Sequence, residues 1–504
     1  MHSKYPSLLS LAVIASQSFA APGPYESRAT VDSVSATLDG VTYINKGLVG
    51  FGLIPSNFTE STGDTLGGFG SAIAIKRGTF RQRNGVFSGT LLARPDRGFN
   101  VDGTIDYQAR QHEIDFLLTP YYGSTNLTFQ AAQETLKITY RNTVLQFDRL
   151  HKKTSGLDPT AVRNAQFGSN IIPFLDPAMP IVSKDDNRLV VDVEGLVANA
   201  DGTFWVSDEY GPYIYRFSAT GQLIQTIQPP DAFLPRDASG ALNFTSEVNP
   251  ITGRSPNQGF EGLTFDDSTN TLYAMLQSAT IQDGGSSKPT ARNTRLLAYD
   301  VGNPAAKPKL IGEWVVPLPG TASKGNVLAC SEIKFVSKGI FLALSRDGDG
   351  HGGGDNKSSY KHVDLFSISQ ATDIHGTKFD NPANPVSPGG VLDSSIVPAQ
   401  YVSFVDLIDP VQLGRFGLHN GKPADPTLID AKWESLALAP VNDPQFPDDY
   451  FLFTVADNDF LTTQGISLGE PYNAGIDVDT QFMVFRLTMP SIVKGSVQRS
   501  IGIL

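Results

Sequence analysis

The side chains of this 504-residue chain that could do chemistry recur at matching places in a repeated pattern. Five segments share one layout: a strand, a turn, then an aromatic-rich strand ending in polar residues. The clearest is VEGLVANADGTFWVSDEYG, from Val193. FEGLTFDDSTNTLYAMLQSA follows from Phe260, CSEIKFVSKGIFLALSRDG from Cys330 and WESLALAPVNDPQFPDDYFLFTVADND from Trp433. A weaker first copy begins at Gly70 and has Ser71 where the others carry glutamate. Four copies therefore open on Glu194, Glu261, Glu332 and Glu434. Second strands close on Asp96 and Arg97, Asp208 and Glu209, Arg346 and Asp347, or Asp457 and Asn458, whereas the Glu261 copy closes on Gln277 and Ser278.

Carboxylates gathered at one place repel unless a cation, arginines or protons compensate. Calcium, which prefers several oxygen ligands, suits such a ring. On this reading Glu194, Glu261, Glu332 and Glu434 hold calcium, directly or through water. Asp208, Glu209 and Asp347 are the candidate catalytic carboxylates, and Arg97 and Arg346 bind substrate oxyanions. The same four glutamates would also serve as staples, each bonding backbone amides of a neighbouring repeat. A second calcium candidate is the loop DGDGHGGGDN, where Asp347, Asp349 and Asp355 stand among glycines that permit a tight backbone. It lacks the closing glutamate of the helix-loop-helix calcium pattern, and a plain surface loop is the simpler account. No Gly-x-Ser-x-Gly elbow, phosphate loop or His-Glu-x-x-His pair is present, and the seven histidines stand singly. Hydrolysis here would use carboxylates and a metal rather than histidine.

The elements needed to position these residues are short strands between Gly, Asn, Asp and Pro turns, with almost no helical periodicity. A repeated strand pair that cannot bury its own faces predicts an all-β fold, a β-propeller of about six blades (five to seven) with long inter-strand insertions. A large β-sandwich is the plainer alternative, but it does not repeat a Glu-led strand pair. The long interval from Ser71 to Glu194 has room for another blade, with strand-like runs at His112 to Pro120, Leu127 to Ala132 and Leu136 to Phe147. Residues 1–20 read as a signal peptide: Lys4, an apolar run from Leu8 to Ala15, and Ser18-Phe19-Ala20 before the cleavage point. Residues 21–66 would lead into or close the propeller, 67–490 would form it, and 491–504 would be a tail.

A net charge of −12 excludes nucleic acid and anionic membrane as natural partners. The lone Cys330 excludes an intrachain disulfide. Sequons at Asn57, Asn126, Asn243 and Asn356 behind a signal peptide predict a secreted, extracellular glycoprotein acting as a monomer.

These motifs also resemble a known family, the phytase-like proteins with esterase-like activity of phytase. The resemblance rests on Glu-Gly-Leu at Glu194 and Glu261, Trp205-Val206-Ser207-Asp208-Glu209, Arg94-Pro95-Asp96-Arg97-Gly98, Leu344-Ser345-Arg346-Asp347-Gly348 and Trp433-Glu434-Ser435-Leu436. It spans roughly Gly67 to Pro490 and implies phosphatase- or phosphodiesterase-like hydrolysis by shared Glu and Asp residues. Ser71 departs from the pattern, and no dense lysine cluster is present for a highly phosphorylated substrate such as phytate. The expectation is a secreted, metal-dependent hydrolase of small-molecule phosphate esters or phosphodiesters. Two alternatives stand beside it: a lactonase- or carboxylesterase-like propeller enzyme, and a non-catalytic binding propeller.

Overall fold

The computed structural model describes residues 33–99, 103–165, 175–321 and 325–504. The expected signal peptide lies outside them. The short β-branched and aromatic runs form strands, and left-handed turn residues join them where a hairpin needs a matching twist. Asp39-Gly40, with φ of 50° and 75°, turns Val34–Leu38 into Val41–Ile54. Asn84-Gly85, at 52° and 76°, does the same between Arg81–Arg83 and Val86–Arg94.

Five antiparallel sheets of this kind make a five-bladed propeller. Blade one orders Ala72–Ile75, Val86–Arg94, Arg110–Leu118 and Leu136–Leu145 from the axis outward. Blades two, three and four begin at the axis with Val193–Ala198, Phe260–Asp266 and Cys330–Ser337. Blade five has Lys432–Pro440 innermost, then Asp449–Asp457 and Thr480–Thr488. Its outer strands are Val41–Ile54 and Val34–Leu38, so the two ends of the chain share one sheet and close the ring.

The blades number five, at the lower end of the expected five to seven, because the interval before Glu194 adds no blade of its own. Two of its predicted strands are the outer strands of blade one. The third, expected at Leu127 to Ala132, is largely the short helix Phe129–Gln133, capped by the Thr128 hydroxyl. Each of the five blade interfaces has its own hydrophobic layer. Ile73 and Phe116 meet Phe451 and Phe482 between blades one and five, for example, and Trp205 and Ile214 meet Phe260 and Leu272 between two and three. No helix among the described residues is long and apolar enough to cross a membrane.

Candidate functional site

Every innermost strand starts at the same end of the axis, where the second strand of its blade finishes. The pairs Ala72 with Arg94, Val193 with Asp208, Phe260 with Leu276, Cys330 with Ser345 and Lys432 with Asp457 fix this alignment. At this mouth, blades two to five each carry a β-bulge, a device that re-aims a side chain. In blade two, Glu194 and Gly195 together face Ser207. In blades three and five the unpaired residue is the glutamate itself, Glu261 or Glu434. In blade four the unpaired residue is Ser331, and Glu332 has re-entered the ladder opposite Leu344.

That one-residue difference separates the four glutamates. Glu332 Oε1 accepts from the N–H groups of Leu263, at 2.9 Å in blade three, and Ile333, at 2.8 Å. Burial raises its carboxyl to about 8 despite those two amides, and Lys334 is the charged group facing it. Glu194, by contrast, lies among carboxylates. One of its oxygens, with one each from Asp96 and Asp192, forms a trio whose atoms all lie within 4.8 Å of one another. Asp96 belongs to a second such trio with Asp457 and Asp459. No trio of this kind among the described residues includes Glu261, Glu332 or Glu434. Glu261 accepts from the Gln277 amide and leaves Oε2 buried without a partner. Glu434 accepts from Arg346, with the Lys432 ammonium 3.6 Å away.

Lys432 already sits in the second trio, 2.8 Å from Asp457 and 2.7 Å from Asp459. Burial alone would lower its ammonium, but Asp457, Asp459 and Glu434 outweigh that and hold it well above its ordinary range. The first trio has less compensation. Burial, then Lys432 against Asp192 and Asp459, leaves the Asp96 carboxyl raised to about 7. Glu194 is raised well above the carboxylate range by burial and by Glu261, Asp192, Glu209 and Glu434. Burial and Asp192 raise Glu209, whose Oε1 is also buried without a partner. The floor of the mouth is thus crowded with carboxylates whose ionisation is opposed by burial and by one another. Side chains that reach solvent beside it include Asp459, 39% exposed, Lys432, 23% exposed, and Arg97, 16% exposed.

The remaining predicted residues have other engagements. Asp208 is fully buried and accepts from the N–H groups of Asp192 and Gly211, both at 2.7 Å; burial raises it to about 8. Asp347 accepts from the Ser358 and Ser359 hydroxyls and the Ser359 and Tyr360 amides. Those bonds and Lys361 outweigh its partial burial and hold it below the ordinary range. Asp349 accepts from Asp355 N–H and Asp355 from Lys357 N–H, so the DGDGHGGGDN loop braces itself and forms no carboxylate trio among the described residues. Arg97 lies 3.6 Å from Asp192 and donates to Tyr210 and Ser246 hydroxyls. Asn57 and Asn126 are exposed, and Asn243 and Asn356 are partly so.

Four residues of this mouth went unremarked in the sequence: Asp192, Lys432, Asp459 and, as a ligand, Asp96. The first three lie two residues from a flagged acid, Asp192 before Glu194, Lys432 before Glu434 and Asp459 after Asp457. Asp192 lies just before its strand and Asp459 in the turn after its own, so closeness in sequence to a flagged acid was the signal available.

A divalent cation fits these residues. The donors are all carboxylate oxygens, the preference of calcium, and two neighbouring carboxylates, Glu209 and Glu261, keep an unpaired buried oxygen.

The chain belongs to the phytase-like family, esterase-like activity of phytase, whose model matches residues 88–460. A relative from Arthroderma benhamiae, described as an uncharacterized secreted protein, is 40% identical over 467 residues, which is 84% of this chain and 89% of the relative. Among solved structures, a putative oxidoreductase (glucose dehydrogenase) from Thermus thermophilus aligns with TM-score 0.26 and 10% identity, over 84% of this chain and 98% of that one. The Dos1 propeller aligns with TM-score 0.23 and 10% identity, over 87% and 94%. The architecture rests on the strand pairing above rather than on these two likenesses.

Proposed function

We propose that the chain is a secreted, cation-dependent hydrolase of phosphate esters or phosphodiesters, with its site at the mouth where the innermost strands begin. The observation that carries the reading is the Asp96, Asp192 and Glu194 trio, three buried carboxylates whose oxygens all lie within 4.8 Å of one another. Secretion is supported by the leader-like first twenty residues and by the description of the 40% identical relative.

Asp96, Asp192 and Glu194 would hold the cation, most simply calcium. When bound, a divalent cation there draws electron density from a phosphoryl oxygen and offsets its negative charge. Arg97 and Lys432 stand at the rim and bind the remaining oxyanions, Arg97 oriented by Tyr210, Ser246 and Asp192. Glu209, raised by burial and Asp192, would donate the proton that the departing alkoxide needs as water attacks phosphorus in its place and releases its own proton to solvent. Asp208 positions the Asp192 backbone, and Asp347 holds its own loop; neither is assigned contact with substrate.

The test is turnover of bis(4-nitrophenyl) phosphate and 4-nitrophenyl phosphate by EGTA-treated protein, with and without added calcium. Loss on chelation and recovery with calcium are expected. Glu209→Gln should lower turnover of an alkyl ester such as glycerol 2-phosphate by about 100-fold or more, and that of the nitrophenyl esters far less. Turnover unaffected by chelation contradicts the cation assignment. Turnover of a lactone but of neither phosphate contradicts the substrate class.

A further inference from the structure

The opposite end of the same axis holds a feature that the carboxylate mouth does not use. Where the innermost strands finish, all five line one chamber, through Ile75, Val197, Phe265, Lys334 and Leu438. The C-terminal helix Ser496–Ser500 covers it, with Val497 and Ile501 in its wall. That cover is clamped on: Arg77 donates to the carbonyls of Ser500, at 2.5 Å, and Arg499, at 2.8 Å, and Gly78 N–H donates to Ile501 at 2.8 Å.

Of the charged side chains lining the chamber, Asp266 and Asp267 are committed, whereas Lys334, partly buried, and Arg499, exposed, are not. Asp266 accepts from Ser268 N–H and from the Ser268 and Thr269 hydroxyls. Asp267 pairs with Arg77 at 3.1 Å. Glu332, two residues before Lys334 on the same strand face, is spent on the amides of Leu263 and Ile333. Lys334 makes no hydrogen bond and no ion pair among the described residues. Burial presses its ammonium below the ordinary range, with Glu332 and Asp267 opposing at longer reach. Lys334 is partly buried and lines the chamber, so its ammonium faces that space with no carboxylate bonded to it, and an anion entering there would meet an unpaired cation.

We propose that this chamber is a second ligand site, independent of the carboxylate mouth, that takes a small organic carboxylate. The carboxylate head meets Lys334, and a short hydrocarbon body packs on Ile75, Val197, Phe265 and Leu438. One ammonium among the strand ends, with Arg499 exposed on the covering helix, suits a monoanion. A dianionic phosphate would bring a second negative charge toward Asp266 and Asp267.

Calorimetric titration of hexanoate, with hexanol as its neutral counterpart, tests the site on the full-length protein. Wild type should bind hexanoate, and both hexanol to wild type and hexanoate to Lys334→Gln should be about tenfold weaker or worse. Lys334→Arg should retain binding, and Asp96→Asn, altered at the other mouth, should bind hexanoate as wild type does. The hexanol comparison needs no variant and stands even if Lys334→Gln fails to fold. Equal binding of hexanol, or no binding of millimolar hexanoate by folded wild type, overturns the proposal. Loss of hexanoate binding in Asp96→Asn places the anion at the other mouth and overturns it too. None of these results bears on phosphate ester turnover, so the two readings fail separately.

Discussion

Blades three and four meet at the axis with a glutamate in the same repeat position, and the two residues do opposite work. Glu261 is the unpaired residue of its bulge; it lies toward Glu209 and Glu434 and keeps one oxygen without a partner. Glu332 follows an unpaired serine, returns to the ladder and gives its carboxylate to two amides, one in blade three. The sequence repeat is the same, yet moving the extra residue by one position turns a member of an acidic cluster into a staple. Position in a repeat therefore states where a side chain begins, while the bulge decides where it points.

The sharpest way to break this contrast is to neutralise the two kinds of acid in parallel. Glu194→Gln and Asp96→Asn should each lower phosphate ester turnover by about 100-fold or more while the fold persists. Glu332→Gln, which keeps the accepting oxygen, should leave turnover of the folded protein near that of wild type. Equal losses in all three would erase the distinction. The next largest effect is on stability. Glu332→Ala strands two buried N–H groups and should cost about 2–4 kcal/mol in urea unfolding, whereas Glu332→Gln should cost under about 1 kcal/mol. Equal costs for the two would show that the bonds to Leu263 and Ile333 are not what the glutamate contributes.

A smaller effect is expected with pH. Asp96 is raised to about 7 and Glu332 to about 8, both above the unfolded value of about 4. The native state therefore binds more protons than the unfolded chain. The stability these groups add is complete below about pH 4 and is lost as pH rises toward about 8. Calcium, by favouring ionised Asp96, should remove the Asp96 share of that decline and leave the Glu332 share. Urea midpoints at pH 5 and pH 8.5, in EGTA and in calcium, measure it; the same decline in both media would contradict the assignment. The smallest expected effect is Asp347→Asn, costing about 1 kcal/mol by loosening the hold of Ser358, Ser359 and Tyr360 on the 348–357 loop, with turnover retained in the folded protein.

The propeller was legible because each blade repeats a strand pair whose turn chemistry is local. The count was less so. Arg110–Leu118 and Leu136–Leu145 read as strands, but nothing in them says that they finish blade one rather than start another. The Leu127 to Ala132 run was misread because Thr128 caps a helix where apolar content alone suggested a strand. At the site, Glu194 was visible from the repeat, whereas Asp192 and Asp459 were not. They lie in the loop before one strand and the turn after another, where strand alternation does not say which way a side chain faces. That Glu332 would turn away could not be read from CSEIK, because the bulge that decides it depends on pairing with Leu344 and Ser345.

The most direct test of the central claim is calorimetric titration of calcium into EGTA-stripped wild type, Asp96→Asn and Glu332→Gln. Calcium should bind wild type and Glu332→Gln with the same affinity and stoichiometry, and binding should be lost in Asp96→Asn. Binding that survives Asp96→Asn, or that disappears with Glu332→Gln, would contradict the account of which acids gather at the axis and which only tie blades together.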